Sequence, residues 1–420
     1  MKQVPKTKIK LNDVKEMMDK GYNLIAELRE DVDAPVVQAE FFNENITAIY
    51  GEEAARKFYD AANFKREGAM PEPVLKTLFG EDGVQTIDGE AHHHRKNYFM
   101  DLMTPDRMEN YRDILTKHLS EALDKQHGEF ELFDLANKVL FNAISEWSGI
   151  NLNNYDKETL EKLAENQISM IRGAVTSPKD HEQGIKDRNE SEKWAQDLIK
   201  EARKHPASEK GNLALYTFAN ATDLDGELLP IEVAAVELLN IIRPTVALTV
   251  WIALMGHALF AKEGIYDELK ADFDNLQDSF IQEMRRYYPF FPMLPAISLR
   301  DVEVDGYDIP KGSWVVLDLY GTNHDDRTKS SPEQFDLKRY TGKAKDISYE
   351  EEYEMIAQGG GKFREMHRCA GEWITLHSMR VFSDHLVNKY ELTAPEQDWT
   401  IPMNQIPTYP NSKSLLFKDE

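Results

Sequence analysis

The sequence contains a single cysteine, Cys369, within the segment QGGGKFREMHRCAGEWITLHSMRVF. Glycines precede the cysteine and an amphipathic helical pattern follows it, which predicts a loop that ends at the N-terminus of a helix. The positive end of the helix dipole favours the thiolate form of a cysteine at this position. Two interpretations are open from the residue alone, since a lone cysteine is also often a buried, unreactive core residue.

The residues around Cys369 resemble the haem-ligand signature of the cytochrome P450 superfamily. In that signature the cysteine follows a glycine-rich loop, with a basic residue two positions before it, here His367, and a glycine two positions after it, here Gly371. The resemblance implies a mainly α-helical cytochrome P450 fold with small β-sheets, in which Cys369 ligates the iron of haem b and His367 helps to bind the haem. Thiolate ligation donates electron density that favours O–O bond cleavage.

A second motif supports the same resemblance. Glu283 and Arg286 occupy positions i and i+3 of a predicted helix, a spacing that permits an ion pair on one face. A Glu-x-x-Arg pair alone is common on charged helices, but here the segment EQFDLKRY, which contains Arg339, lies between it and Cys369. The resemblance implies that Glu283, Arg286 and Arg339 form a structural triad near the cysteine loop, without a catalytic role.

Three consecutive histidines, His92 to His94, precede Arg95 and Lys96. Successive side chains of a helix diverge by about 100°, so the three rings are not expected to converge on one metal ion. His92 and Lys96 are four residues apart, share a helix face and can bind one anion together. The resemblance implies that they hold haem propionates; the alternative is a solvated polar face.

A long apolar helix is predicted for the segment VAAVELLNIIRPTVALTVWIALMGHALF, with Arg243 in its middle. The neighbours of Arg243 on its face are apolar except for Asn240, so the guanidinium is expected to point inward. A buried guanidinium needs an anion, and no acidic residue lies within one turn on this face. Pro244 removes a helical hydrogen bond and predicts a local kink. The alternatives are a salt bridge to a distant acidic residue or a side chain that extends to solvent.

Two departures from typical P450 monooxygenases narrow the resemblance. Monooxygenases place an acid and a threonine on this helix to deliver protons to bound dioxygen, whereas here Arg243 and Pro244 occupy that place and Thr245 has no acid before it. The loop before Cys369 begins with Gln358-Gly359-Gly360-Gly361, where an aromatic residue and a shorter loop are usual. Both features resemble the bacterial fatty-acid peroxygenases, and this resemblance extends over essentially the whole chain.

The resemblance implies hydrogen-peroxide-dependent hydroxylation of long-chain fatty acids at the α or β carbon, with decarboxylation to terminal alkenes as a side reaction. Arg243 is expected to bind the substrate carboxylate, which then acts as the general acid–base group. Gln85 stands where some strong decarboxylases of the family have histidine, and its neutral amide, which cannot donate a proton as imidazolium does, favours hydroxylation. Phe79 and Phe290 are expected to line the acyl channel, or else to belong to the ordinary core.

The composition excludes several other functions. The chain has 420 residues, with 74 Asp+Glu against 50 Lys+Arg and a formal charge of −24, which disfavours binding to nucleic acids or anionic membranes. The first residues lack the apolar core of a secretory signal, and a single cysteine allows no intramolecular disulfide, so a cytoplasmic location is expected. The longest apolar stretch, from Pro244 to Phe260, is predicted to be a buried helix and not a membrane anchor.

The elements that must position these residues are mostly helical. No repeat or linker divides the chain, so a single domain over residues 1–420 is expected. The periodicity predicts helices over 11–29, 105–125, 156–171, 189–204, 229–260, 276–288 and 370–390, and strands over 35–50, 301–309 and 313–319. The strand segment 301–309 is predicted to be a hairpin around Asp305 and Gly306, and the segment from Asn323 to Gly361 is expected to be irregular.

Two other classes of protein are open to the sequence. A reductase-dependent P450 monooxygenase needs an electron-transfer partner, and the 420 residues contain no fused flavin or iron–sulfur segment. A non-enzymatic haem or fatty-acid binding protein gains nothing from a thiolate-ligated iron that faces a carboxylate anchor. The peroxygenase interpretation predicts a fatty acid and hydrogen peroxide as the only partners, without a reductase, so turnover with peroxide alone separates the three classes.

Overall fold

The computed structural model describes residues 2–11, 19–41, 44–174, 177–205, 212–344 and 351–419. Over these residues the chain is mainly helical. The helices are α1 (Leu24–Val32), α2 (Glu52–Tyr59), α3 (Glu72–Val74), α4 (Gly89–Leu102), α5 (Pro105–Asp124), α6 (Leu132–Trp147), α7 (Lys157–Gly173), α8 (Pro178–Ala202), α9 (Ala214–Ala219), α10 (Ile231–Ala247), α11 (Thr249–Ala261), α12 (Ile265–Ala271), α13 (Phe273–Tyr287), α14 (Leu319–Asn323) and α15 (Glu372–Asp384). Short π-helical turns follow α3 at Leu75–Phe79 and α15 at His385–Lys389.

The strands form three small sheets. They are β1 (Lys2–Gln3), β2 (Lys6–Leu11), β3 (Val37–Phe41), β4 (Glu44–Ile49), β5 (Phe64–Lys65), β6 (Gly128–Glu131), β7 (Met293–Ser298), β8 (Val302–Val304), β9 (Tyr307–Ile309), β10 (Trp314–Asp318), β11 (Leu392–Thr393) and β12 (Leu415–Lys418). The largest sheet has the order β2-β3-β4-β10-β7-β5, and the others are β1-β9-β8 and β11-β12-β6. In the largest sheet β10 runs parallel to β4 and antiparallel to β7, so it joins distant parts of the chain. The predicted fold class, mainly α with small β-sheets, is confirmed.

Most predicted elements are confirmed to within a few residues. The predicted hairpin consists of β8 and β9, and its turn places both Asp305 and Gly306 at positive φ, 49° and 81°, as a two-residue hairpin turn requires. The segment from Asn323 to Gly361 is irregular where it is described, and residues 345–350 lie outside the described ranges. The helices predicted over 105–125, 156–171 and 276–288 correspond to α5, α7 and α13.

Two of the predicted helices need correction at their starts. The helix predicted over 11–29 is wrong at Leu11, which ends strand β2; residues 12–18 lie outside the described ranges, and residues 19–32 are helical, with a 3-10 turn at Gly21–Asn23 before α1. The helix predicted over 189–204 begins earlier than predicted, because α8 starts at Pro178. Helix α6 was not predicted. Eleven of its sixteen residues are buried, so the polar face that makes a helical period visible in a sequence is small.

The long apolar helix is divided into α10 and α11. The helix continues through Pro244, and the interruption falls four residues later at Leu248, whose N–H donates to the carbonyl of Thr245 at 3.1 Å. The stretch Ile231–Ala261 contains an 18-residue window with a mean hydropathy of 1.7 and, among the described residues, is the one helix long and apolar enough to cross a membrane. Because 94% of its apolar window is buried, and α10 packs against α6, α7 and α8, it is the central core helix.

Candidate functional site

All eight predicted site residues line one enclosed cavity of about 290 Å³. They come from the segment between β5 and α5, from the central helix, from the residues after α13 and from the loop before α15. The eight residues are Phe79, Gln85, His92, Lys96, Arg243, Phe290, His367 and Cys369. Most of the remaining wall is apolar, which is typical of a ligand site with a few convergent polar groups.

A second, more open cleft of about 640 Å³ lies between α5, α6 and β6. Some of its charged side chains already have partners: His118 contacts Glu146 at 2.7 Å, and Lys138 contacts Glu161 at 2.8 Å. None of the predicted site residues lines this cleft. The enclosed cavity is therefore the candidate site.

Cys369 lies three residues before α15 and is partly accessible at the cavity wall. Its N–H donates to the carbonyl of Gln358 at 3.0 Å, and the Gln358 side-chain amide lies 3.9 Å from Sγ. The helix position predicts a favoured thiolate, but burial raises the pKa of the Cys369 thiol, and this effect outweighs the lowering by the Gly371 backbone amide. In the polypeptide alone, burial therefore opposes the thiolate form that the helix position favours. A metal ion at Sγ would reverse the balance, because a coordinating thiol is deprotonated.

A buried network of ion pairs holds the segment around Cys369. Arg368 Nε donates to Glu372 Oε2 at 2.9 Å, and Arg285 Nη2 donates to Glu372 Oε1 at 2.5 Å. All three side chains are about 1% exposed. The sequence analysis missed this network; its one local signal is the i, i+4 spacing of Arg368 and Glu372 on either side of the cysteine.

The predicted triad near the cysteine loop is present. Arg286 donates through Nε and Nη2 to the two oxygens of Glu283 at 2.8 and 2.7 Å, and Arg339 Nε donates to Glu283 Oε2 at 3.0 Å. Glu283 and Arg286 are fully buried. Removal of one partner from such a buried pair leaves an uncompensated charge, which makes the triad a structural element of the fold.

Four basic side chains lie together at one edge of the cavity, and we call Arg66, His92, Lys96 and His367 the basic cluster. The His92 and His367 rings stack with centroids 3.9 Å apart. Burial lowers the pKa of His92 to about 2, of His367 to about 4 and of Lys96 to about 7. Lys96 Nζ donates to the carbonyls of Met366 and Arg368.

Arg66 is the member that the sequence analysis missed. Its side chain is 8% exposed, its Nη1 has no hydrogen-bond partner, and burial lowers its pKa to about 10. The backbone N–H of Arg66 donates to both carboxylate oxygens of Asp88, at 3.0 and 2.8 Å. This contact joins segments far apart in the chain, so no local pattern marks Arg66.

The basic cluster and Cys369 fit a haem group. An anion next to the cluster would offset the cost of burying its cations, and an unpaired Arg66 Nη1 offers a donor for it. The neighbouring His93 and His94 are turned elsewhere, to the carbonyls of Glu365 at 2.8 Å and of Thr222 at 2.9 Å. The three consecutive histidines therefore do not act as one group.

Arg243 lies in the cavity wall with 3% of its surface exposed. Its Nη2 donates to Asn240 Oδ1 at 3.3 Å, its Nη1 is buried without a partner, and its guanidinium carbon lies 5.6 Å from the Phe79 ring centroid. Within the described part of the chain Arg243 forms no ion pair, so the alternative of a salt bridge to a distant acid fails there. Burial lowers the pKa of Arg243 far below its ordinary value.

Three further predicted residues, Gln85, Phe290 and Phe79, lie in the wall of the same cavity as Arg243. Gln85 Oε1 accepts a hydrogen bond from Asn240 Nδ2 at 3.2 Å. Phe290 stacks on Trp251 with centroids 3.9 Å apart. The Phe79 ring lies 6.1 Å from that of Phe291, so both predicted channel aromatics are in the cavity wall and packed against other rings.

The cysteine loop, the basic cluster and the fold define a haem–thiolate protein, and comparison with known proteins agrees. The family described as Cytochrome P450 matches residues 275–417. The structure of cytochrome P450EX alpha with myristic acid is 36% identical, with a TM-score of 0.91 and coverage of 99% of both chains. Cytochrome P450SP alpha in complex with (R)-ibuprofen is 33% identical, with a TM-score of 0.89 and coverage of 96% of this chain and 98% of that chain. A cytochrome P450 OleT variant with arachidonic acid is 28% identical, with a TM-score of 0.91 and coverage of 99% and 98%.

Curated relatives match over shorter segments. The probable cytochrome P450 513D1 of Dictyostelium discoideum is 30% identical over 121 residues, which are 29% of this chain and 21% of that protein. Geissoschizine oxidase of Catharanthus roseus is 36% identical over 98 residues, 23% of this chain and 19% of that protein. The matched part thus spans about a fifth of these relatives. The chain belongs to the cytochrome P450 superfamily of haem–thiolate oxidoreductases and, within it, to the CYP152 family of P450EX alpha and P450SP alpha.

Proposed function

We propose that this protein hydroxylates long-chain fatty acids at the α or β carbon with hydrogen peroxide as oxidant. One fatty acid and one hydrogen peroxide give one hydroxy acid and one water. In a side reaction the same reactants give a terminal alkene, carbon dioxide and two waters. The observation that carries the proposal is Arg243, a buried guanidinium without an ionic partner in the described residues, on the wall of the cavity that Cys369 also lines.

The cofactor of this reaction is haem b. Cys369 would supply a thiolate ligand to the haem iron, and the basic cluster of Arg66, His92, Lys96 and His367 would bind the propionates. Bound in this way, the haem supplies the chemistry that cleaves the O–O bond of hydrogen peroxide and transfers one oxygen to a C–H bond.

Arg243 binds the carboxylate of the fatty acid. A guanidinium and a carboxylate form two parallel hydrogen bonds, and the free Nη1 of Arg243 supplies a donor for them. The bound carboxylate is the acid–base group of the site: it takes a proton from one oxygen of hydrogen peroxide and returns it to the other, which leaves as water. Thr245 does not serve in its place, because its hydroxyl donates to the carbonyl of Ile241 at 2.8 Å.

The anchor also determines which carbons react. A carboxylate held at Arg243 keeps the α and β carbons at the reacting end of the cavity, while Phe79 and Phe290 line the space for the acyl chain. Gln85 lies next to this end and carries a neutral amide, which cannot transfer a proton as an imidazolium does. Gln85 therefore favours hydroxylation over decarboxylation.

The remaining proposals concern the setting of the enzyme. We place it in the cytoplasm as a soluble protein in which residues 1–420 form one domain, and which works without a nucleic-acid partner or a reductase. The alternatives are a reductase-dependent monooxygenase and a non-enzymatic haem or fatty-acid binding protein. Thr245 argues against the first, since a hydroxyl that is already committed within its helix is not available for proton delivery.

Incubation of the purified, haem-loaded protein with myristic acid and hydrogen peroxide, without reductase or NADPH, tests the function. We expect 2- and 3-hydroxy acids, with a smaller amount of the shortened 1-alkene, by mass spectrometry. Omission of peroxide is the control. Absence of product from a protein with a normal thiolate–haem spectrum would overturn the proposal and favour the alternatives.

A further inference from the structure

Asn240 lies one helical turn before Arg243 and connects it to Gln85. Arg243 Nη2 donates to Asn240 Oδ1 at 3.3 Å, and Asn240 Nδ2 donates to Gln85 Oε1 at 3.2 Å. Asn240 is 6% exposed and lines the cavity. One buried amide therefore contacts both the proposed carboxylate anchor and the residue proposed to influence the product.

The direction of these hydrogen bonds follows from the chemistry of arginine. A guanidinium has only donors, so the Asn240 atom that faces Arg243 has to be its oxygen. The Asn240 nitrogen then faces Gln85, and the Gln85 atom that accepts from it has to be oxygen. The free end of the Gln85 amide is consequently Nε2, which donates no hydrogen bond to another described residue. Gln85 thus offers an N–H donor, and not an acceptor, to a molecule in the cavity.

Glu237 holds the same orientation from the other side. Its Oε2 accepts from Asn240 Nδ2 at 3.0 Å, so the two N–H groups of Asn240 are both engaged. Glu237 is fully buried and its Oε1 accepts from Arg95 Nη1 at 3.3 Å. A rotated Asn240 amide would turn its N–H toward the guanidinium of Arg243, which has only donors, so that hydrogen bond would be replaced by repulsion.

Gly83 allows the contact between Gln85 and Asn240. A Cβ atom at position 83 would lie 3.0 Å from Gln85 Oε1 and 3.1 Å from Asn240 Nδ2. Gly83 has φ −70° and ψ 158°, which alanine adopts without strain. Alanine at this position would therefore press on the hydrogen-bonded pair while every polar group stays in place.

We infer that Asn240 is a positioning residue that holds Arg243 and the Gln85 N–H donor in a fixed relation, and so sets the ratio of 3-hydroxy to 2-hydroxy product. The inference rests on the proposed function, because this ratio exists only if fatty acids are hydroxylated. Asn240 itself acts through its two neighbours. It is distinct from a merely structural residue in that its loss changes which carbon reacts.

Four variants test the inference: Asn240→Leu, Gln85→Leu, the double variant, and Gly83→Ala. Each is expected to change the product ratio by about fivefold, the factor that corresponds to one neutral hydrogen bond. The double variant is expected to match Asn240→Leu alone, because the two residues act as one unit. Only the variants that lack Asn240 are expected to weaken binding of myristic acid, measured from the haem spin-state change, since only they release Arg243.

Asn137→Leu is the matched control, because Asn137 is also 6% exposed but does not line the cavity. It is expected to leave the ratio and the affinity unchanged. The inference would be overturned if the effects of Asn240→Leu and Gln85→Leu on the product ratio multiply in the double variant. It would also be overturned if Asn240→Leu leaves the product ratio unchanged. If the wild-type protein forms no product, the proposed function fails. The melting temperatures of the same four variants then test whether Asn240 and Gln85 act as a pair. If the decreases in melting temperature for Asn240→Leu and Gln85→Leu add up in the double variant, the pair is rejected.

Discussion

Lys96 donates a hydrogen bond to the carbonyl oxygen of Arg368 at 2.5 Å, which fixes helix α4 to the residue next to Cys369. Its ammonium group also donates to the carbonyl of Met366. The i, i+4 spacing of His92 and Lys96 predicts that both bind one anion; the His92 ring stacks on His367, and the charge of Lys96 is near enough to help lower the pKa of His92. Lys96 therefore helps to hold the cysteine loop in addition to lining the cavity.

Arg66 provides a prediction about haem retention. We expect Arg66→Ala to speed haem dissociation by about tenfold or more, because it removes a charge-assisted hydrogen bond to a propionate. Transfer of haem to an acceptor protein measures the rate. Arg364→Ala is the control, since Arg364 is an exposed arginine whose partner is the exposed Asp101. Equal rates for the two variants would remove Arg66 from the haem site.

Arg243 is expected to support fatty-acid turnover and, at the same time, to lower the free energy of unfolding. We expect Arg243→Met to abolish fatty-acid turnover and to leave the thiolate–haem spectrum intact, because the carboxylate loses its anchor. The same change should raise the free energy of unfolding of the fatty-acid-free protein by about 1–3 kcal/mol, since a buried guanidinium without an ionic partner is costly. Product assays and denaturant unfolding measure the two effects.

Arg243→Lys separates charge from geometry in the same position. Lysine keeps the positive charge but offers no planar pair of donors, so we expect weaker fatty-acid binding and partial activity. Near-normal turnover by Arg243→Met would show that substrate carboxylate binding at this residue is not part of the mechanism.

Cys369 gives a spectroscopic prediction. Cys369→Ser should lose the absorption of the reduced carbon monoxide complex that is typical of thiolate ligation, because no other cysteine is present in the chain to replace it. The unfolding transition of the haem-free protein should change little, since the Arg285–Glu372–Arg368 network remains. A thiolate spectrum in the variant would mean that the ligand is not Cys369.

Cys369 and Arg243 were predictable from the sequence because each is an unusual residue for its surroundings. Cys369 is the only cysteine, and Arg243 is a charge within an apolar helix, so each is visible without knowledge of its partners. Arg66 and Asn240 were not predictable in this way. Arg66 is recognised as a site residue by its contact with Asp88 and its place in the cavity wall, and Asn240 by its hydrogen bond to Gln85. These contacts exist only after the chain folds.

The elements of the fold also divide into those that the sequence predicts and those that it does not. Amphipathic helices such as α5 and α13 have a visible period, and the turn residues Asp305 and Gly306 identify their hairpin. Helix α6 lacks a broad polar face, and the pairing of β10 with β4 joins distant segments. Such features depend on tertiary contacts, which a single sequence does not display.

Glu237 makes the stability of the protein depend on pH. Burial raises the pKa of Glu237 from its ordinary 4.5 to about 7, against the lowering by Asn240 and Arg95. The folded state therefore holds a proton that the unfolded state releases first. The stability from this proton is fully present below pH 4.5 and is lost as the pH rises to about 7, a decrease of about 3 kcal/mol.

Glu237→Gln tests this dependence, because glutamine has no proton to lose. We expect the melting temperature of the variant to rise relative to that of the wild type between pH 5 and pH 8, on top of a constant offset for the altered hydrogen bonds. Glu232→Gln, an exposed position on the same helix α10, is the control and should show no such trend. A constant difference between Glu237→Gln and the wild type across this range would mean that Glu237 does not titrate there, and that Asn240 faces a carboxylate whose charge is the same at every pH tested.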